Sequence, residues 1–378
     1  MRAVARRFNV TPRCQSSACR VSAILIATVL IATVLACSGS EDHTRLSDSV
    51  ESTLPAAGSS SGGADASTRA PEQGAIVFRS DRDQAGIGQL YMMALDGSSV
   101  RRLTNGGDYA TPVWSPDGEG IAFRRVMGLD AALGLISPGD DEPVLLVTAE
   151  DPELWDRVLT WSGDRLIYAS RQGGPETDLW VVSRSGGQRR PLFSQRLGGR
   201  EEADVSRTES RLVFSWNPTE MAGAAHGAAG DQDLWVANGP DDPAPENLTE
   251  GRVYVPSGPR WSPDGRTVAF WGFARLADGS IAGLGSHMEG VNPPDADLFL
   301  IDVSSHELTQ LTDNDDDDVT PSWTPDGKSL IVTSWRDGDE DIWKMPVDSP
   351  DQAVNLTEDS DLPSSDSMPD CFWGVPAK

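Results

Sequence analysis

The chain predicts a closed all-β propeller of six four-stranded blades, on three observations. A five-residue word recurs as Trp114-Ser115-Pro116-Asp117-Gly118, Trp261-Ser262-Pro263-Asp264-Gly265 and Trp323-Thr324-Pro325-Asp326-Gly327, with a decayed copy at Trp161-Ser162-Gly163-Asp164. Short β-branched and aromatic runs follow each copy at a spacing of roughly 45 residues, the length of one four-stranded blade. Several of these runs are apolar at successive positions, which requires cover on both faces, and neighbouring blades supply it.

The last complete copy shows one unit most clearly. Residues 320–323 are extended, and Pro325-Asp326-Gly327 makes a tight turn, with Pro presetting φ and Gly accepting the left-handed position. Leu330-Ile331-Val332, Ile342-Trp343 and Val354-Asn355-Leu356-Thr357 follow as second, third and fourth strands. In chain order, blade one carries Ile76-Val77-Phe78, Gln89-Leu90-Tyr91-Met92 and Arg102-Leu103-Thr104 but lacks a first strand. Blades two, three and five open at Trp114, Trp161 and Trp261, and blade four opens near Val205, where the Trp is missing. After blade six, Met368-Pro369-Asp370-Cys371 aligns with Thr320-Pro321-Ser322-Trp323. That fragment is the strand missing from blade one, so the C-terminal strand is expected to close the ring and remove its open edges.

These words, with Ser80-Asp81-Arg82-Asp83, Trp335-Arg336-Asp337-Gly338 and Arg101-Arg102-Leu103-Thr104, resemble the TolB-type propeller repeat over about residues 73–378. The resemblance implies the fold and is weak for function, because propellers host unrelated activities. TolB carries an α/β domain before its propeller. Here a Ser/Gly-rich stretch occupies that place, which sets the chain apart from the TolB of the Tol–Pal envelope system. Similar propellers precede hydrolase domains in prolyl-oligopeptidase-like peptidases, and no such domain is expected here.

Residues 1–20 carry five Arg and no acid, and residues 21–36 are apolar and uncharged. This is the pattern of a secretory signal. Val34-Leu35-Ala36-Cys37 resembles the bacterial lipobox, which implies a lipidated Cys37 as mature N-terminus. Ser38 after it implies the outer membrane in a Gram-negative cell. The expected organisation is therefore a signal peptide over 1–36, a lipidated tether over 37–72, and the propeller over 73–378. The tether is too poor in large apolar residues to offset its ordering entropy.

The formal charge is −27, and removal of the five Arg with residues 1–36 takes it to −32. A field of that sign disfavours nucleic acid and favours cationic partners, divalent metal or simple solubility. Of four Cys, Cys14 and Cys19 fall in the signal, Cys37 is the lipid candidate and Cys371 stands alone in the closing strand. No disulfide framework or paired-Cys metal site follows.

Candidate chemistry sits on loops. The loop between second and third strands is enlarged in blade four (217–230) and blade five (272–296). Both should share one face with the acidic run at 313–318. In that run Asp313, Asp315 and Asp317 alternate like the start of a calcium loop. Asp318 stands where a Gly is needed and Thr324 where a bidentate Glu is needed, so an EF-hand is excluded and a generic calcium site remains as the metal expectation. His226, His287 and Glu289 lie in the enlarged loops and could form part of a ligand face or hold a metal. Asp178, Asp233, Asp297 and Asp341 recur once per blade at the start of the third strand, and are expected to tie loops by hydrogen bonding.

The leading expectation is a monomeric, lipid-anchored envelope propeller that binds a protein or glycan through its loop-bearing face. A metal-dependent polysaccharide lyase or hydrolase on that face, and a purely structural envelope component, are the alternatives.

Overall fold

The computed structural model describes residues 74–127, 130–140, 142–148, 157–171, 177–195, 199–217, 232–275, 295–358 and 364–373. All belong to one compact unit. They form six four-stranded antiparallel sheets. Blade one joins β1 (Ala75–Ser80), β2 (Gln89–Met93) and β3 (Arg101–Arg102) to β24 (Asp366–Phe372) in the order β24-β1-β2-β3. The closing strand predicted from the orphan fragment is therefore present.

The other blades each run in chain order. Blade two is β4 (Asp108–Trp114), β5 (Ile121–Met127), β6 (Asp130–Ile136) and β7 (Val144–Thr148). Blade three is β8 (Arg157–Ser162), β9 (Arg165–Ser170), β10 (Asp178–Ser183) and β11 (Arg190–Pro191). Blade four is β12 (Arg200–Val205), β13 (Leu212–Trp216), β14 (Asp233–Ala237) and β15 (Glu246–Asn247). Blade five is β16 (Val253–Trp261), β17 (Thr267–Ala274), β18 (Asp297–Asp302) and β19 (Leu308–Gln310). Blade six is β20 (Asp318–Trp323), β21 (Ser329–Ser334), β22 (Asp341–Pro346) and β23 (Val354–Asn355). The first strands β24, β4, β8, β12, β16 and β20 touch in sequence around the ring, so they form its inner wall. Among the described residues a single 3-10 turn, Pro350–Gln352, is the one helical element.

The recurring word is explained by hydrogen bonding inside its own turn. Ser115 Oγ donates to Asp117 Oδ1 at 2.6 Å and accepts from the Gly120 N–H at 3.0 Å, while Asp117 Oδ1 accepts from the Glu119 N–H at 3.0 Å. Ser262 and Asp264 repeat this arrangement, as do Thr324 and Asp326. Gly118 has φ +69°, and a Cβ there would also lie 2.4 Å from the Phe372 ring. The Trp side chains pack between blades: Trp114 meets Phe372 at 5.4 Å between ring centroids, and Trp323 Nε1 donates to the Arg260 carbonyl at 3.1 Å.

The inner strands carry a feature that hydropathy does not show. Thr111, Val255, Thr320 and Met368 each precede a proline and adopt φ of +47° to +56°. The strand register shifts at each of these places. These are bulges in which a side chain, β-branched in three cases, is held left-handed at a local cost of about 1–2 kcal/mol each. The proline lacks an N–H and suits an edge strand.

Beyond each bulge, the residue just before the Trp position forms one layer of the inner wall: Val113, Thr160, Asp204, Arg260, Ser322 and Asp370. Three of these accept a backbone N–H from the next blade. Asp370 Oδ2 accepts from Trp114 at 2.7 Å, Asp204 Oδ2 from Trp261 at 2.8 Å, and Ser322 Oγ from Cys371 at 3.0 Å. Thr160 Oγ1 adds a bond to Asp204 Oδ1 at 2.7 Å. The blades are thus joined by polar bonds through the wall as well as by their apolar faces.

Candidate functional site

In an antiparallel blade, the loop after the second strand and the loop after the fourth emerge on the same face. That face holds the connections 217–232 in blade four, 275–296 in blade five, and 311–317 between blades five and six. His226, His287, Glu289 and most of both enlarged loops lie outside the described residues, as do Cys37, the signal and the tether. The described loop bases are tied to their neighbours. The Ala296 N–H donates to Asp317 Oδ1 at 2.8 Å, the Asp318 N–H donates to the Ala296 carbonyl at 2.8 Å, and Gln232 Nε2 donates to the Pro256 carbonyl at 3.2 Å.

Of the expected calcium ligands, Asp313 and Asp315 are exposed and Asp317 is half-buried against Ala296. Asp318 is the first residue of β20, buried and paired with Arg336 Nη2 at 2.8 Å. The equivalent pair in blade one is Arg82 and Asp366, also at 2.8 Å. Arg82 and Arg336 both bind a Ser two residues earlier, Ser80 and Ser334. The Ser-x-Arg-Asp word therefore locks a loop to an inner strand.

Three carboxylates whose oxygens lie within 4.8 Å of one another occur among the described residues at Asp337, Asp339 and Asp341, on the same face. This grouping was missed in the sequence, although the alternation Asp337-Gly338-Asp339-Glu340-Asp341 was available as a signal. Asn355 Nδ2 donates to Asp337 at 2.6 Å and to Asp341 at 2.9 Å, so an amide already bridges two of the three.

The third-strand acids largely do what their recurrence implied. Thr249, Thr312 and Thr357 hydroxyls donate to Asp233, Asp297 and Asp341 and accept the next strand residue's N–H. Asp178 differs: blade three has no such Thr, and Arg200 binds Asp178 at 3.3 Å while its guanidinium lies 3.9 Å from the Phe193 ring centroid.

Crowding of acids sets the electrostatics of blades five and six. Burial, with Asp313 and Asp318 nearby, pushes Asp297 up to about 7. Burial, with Asp317, Asp315 and Asp316 nearby, pushes Asp295 up to about 6. Burial also raises Asp317, Asp341 and Glu340. Asp295 and Asp297 hold protons more tightly folded than unfolded, so stability is greatest below about pH 4 for these groups and falls as pH rises toward their folded values. From their contribution, the melting midpoint is expected to be about 2–4 °C higher at about pH 5.5 than at about pH 7.5. Scanning calorimetry of wild type and Asp297→Asn checks this. A wild-type midpoint that rises with pH, or a slope unchanged by the substitution, would refute the assignment.

These observations define the class: a six-bladed β-propeller with TolB-like architecture, its acidic loop ends gathered on one face. A crystal structure of TolB from Acinetobacter baumannii superposes with a TM-score of 0.62 at 15% identity, covering 80% of this chain and 68% of that one. A curated relative, the Tol-Pal system protein TolB of Campylobacter jejuni, is 36% identical over 62 residues, 16% of this chain and 15% of that protein. Dipeptidyl-peptidase 5 of Porphyromonas gingivalis is 21% identical over 320 residues, 72% of this chain and 44% of the peptidase. The chain thus spans less than half the length of these curated relatives. No protein-family model matches it.

Proposed function

We propose that the chain is a lipid-anchored, cell-envelope binding module that holds a protein partner on the face bearing the loops of blades four and five. The observation that carries this reading is the enlargement of two neighbouring loops on one face, 217–232 and 275–296, where the same connection in blade six is only 335–340. Binding residues concentrate on such loops over a rigid scaffold. The acidic run beside them fits a partner with a basic surface. The lipobox-like sequence at Cys37 supports the anchor, and the likeness to TolB supports an envelope setting.

Two measurements test it. The full chain, expressed in its host and crosslinked, should recover a basic protein that is lost when 276–294 is replaced by a short Gly-Ser linker with the melting midpoint retained. Recovery of the same partner by the shortened chain would reject the face assignment. A Cys37→Ser chain should move from the membrane to the soluble fraction and lose palmitate labelling.

A further inference from the structure

On the same face, away from the acidic run, a cleft of about 350 Å³ opens where blade one meets blade two. We propose that it is a binding site for a neutral saccharide of one or two rings, separate from the protein-binding surface above. It is lined by the side chains of Asp83, Gln84, Ile87, Gln89, Arg102 and Asp108 and by the backbone of Gly106 and Gly107.

Four of the wall side chains, Asp83, Gln89, Arg102 and Asp108, are fixed before any ligand arrives. Tyr91 Oη and Arg102 Nη1 both donate to Asp83 Oδ2, the latter at 2.6 Å, and Arg102 Nε donates to the Thr104 carbonyl at 2.6 Å. Gln89 Nε2 donates to the Gly107 carbonyl at 2.5 Å, and Gln89 Oε1 accepts from Thr104 Oγ1 at 3.0 Å. The Gly88 N–H donates to Asp108 Oδ1 at 2.9 Å, and Arg125 Nη2 donates to the Gly106 carbonyl at 3.0 Å. Groups held in this way lose little freedom on binding.

What remains uncommitted decides the ligand. Asp83 Oδ1, Asp108 Oδ2, Arg102 Nη2 and the Gln84 carboxamide make no hydrogen bond to any described residue. The hydrogen bond from Tyr91 and the nearby arginines hold Asp83 below the usual carboxylate range, so it stays an acceptor. The site therefore offers two anionic acceptors, a guanidinium donor and an amide that does both. Hydroxyl groups, each a donor and an acceptor, satisfy such a mixed set. Asp83 and Asp108 are offset by Arg102 and by Arg79, which lies 3.6 Å from Asp108. An anionic ligand would face two carboxylates, and a hard cation would face two guanidiniums with too few oxygens around it. The volume sits at the small end of ligand pockets, and Ile87 supplies an apolar patch for a ring's C–H face.

The test is saturation-transfer NMR on the full chain with the methyl glycosides of glucose, galactose, mannose and N-acetylglucosamine and their β-linked disaccharides. At least one should receive saturation and be bound at least about tenfold more weakly by Arg102→Lys. Gln84→Trp, at an exposed loop position, should fill the cleft and abolish the signal without moving the melting midpoint. The proposal is overturned if none of these sugars receives saturation, if the signal survives Gln84→Trp, or if acetate displaces the sugar more effectively than a second sugar does.

Discussion

Ending the chain after Glu358, which removes β24, is expected to abolish the cooperative melting transition and leave a chain that aggregates. Blade one then has no inner strand, and β1 loses its pairing from Ala75↔Phe372 to Ser80↔Asp366. The fully buried Ile76 and Phe78 share a cluster with Cys371, while Phe372 packs with Trp114, Ile121 and Phe123 of blade two. One strand therefore holds two blade interfaces. It also supplies Asp370 to the Trp114 N–H, and the adjoining Trp373 Nε1 donates to the Trp323 carbonyl at 2.8 Å. Phe372→Ala, the milder test, should cost about 3–5 kcal/mol as a large-to-small change at a buried ring. Domain stability is commonly about 5–15 kcal/mol, so even this single substitution consumes a large part of it. Circular dichroism melts and size exclusion measure both variants. A truncated chain that melts cooperatively at the wild-type midpoint would show that ring closure contributes nothing.

The closing strand was legible because its Met368-Pro369-Asp370-Cys371 repeats a word found elsewhere, and the tight turns because Pro, Asp and Gly each have a fixed job there. The bulges were not read, although Pro112, Pro321 and Pro369 stand two residues before the Trp position. A β-branched residue before proline is locally biased toward an extended conformation, and the surrounding ring overrides that bias at Thr111, Val255 and Thr320. Site geometry was harder still. Asp313, Asp315 and Asp317 are visible as composition, but which acids converge depends on bulges, loop turns and the neighbouring blade. The structure brings Asp337, Asp339 and Asp341 together, and Asn355, a residue on a different strand, bridges Asp337 and Asp341. The cleft at Asp83 and Arg102 draws on two connections, 81–88 and 103–107, and on the ends of three strands of two blades, and no local pattern announces it.

Asp204 is where the wall bonding is expected to show its largest single-residue polar effect. Its two oxygens accept from the Trp261 N–H at 2.8 Å and from Thr160 Oγ1 at 2.7 Å, so it joins blade four to both neighbours. Trp261 is 1% exposed, and Asp204→Ala leaves its N–H without this acceptor. Charge-assisted bonds contribute roughly 1.5–3 kcal/mol each, and a stranded buried donor adds its own desolvation cost. A loss of about 2–4 kcal/mol follows. Asp204→Asn keeps one carbonyl acceptor and should lose only about 1 kcal/mol. Val113 occupies the same layer without any side-chain acceptor, and there the bond is made instead by Trp161 Nε1 to the Val113 carbonyl at 3.4 Å. The layer can thus be apolar where the next Trp reaches back, whereas Trp261 Nε1 has no hydrogen-bond partner among the described residues and does not substitute. Combining Asp204→Ala with Thr160→Val should cost less than the two changes separately, because both remove one shared bond. Urea unfolding of the four proteins measures this. Strict additivity, or an unchanged midpoint in Asp204→Ala, would mean that apolar packing alone holds blade four in the ring.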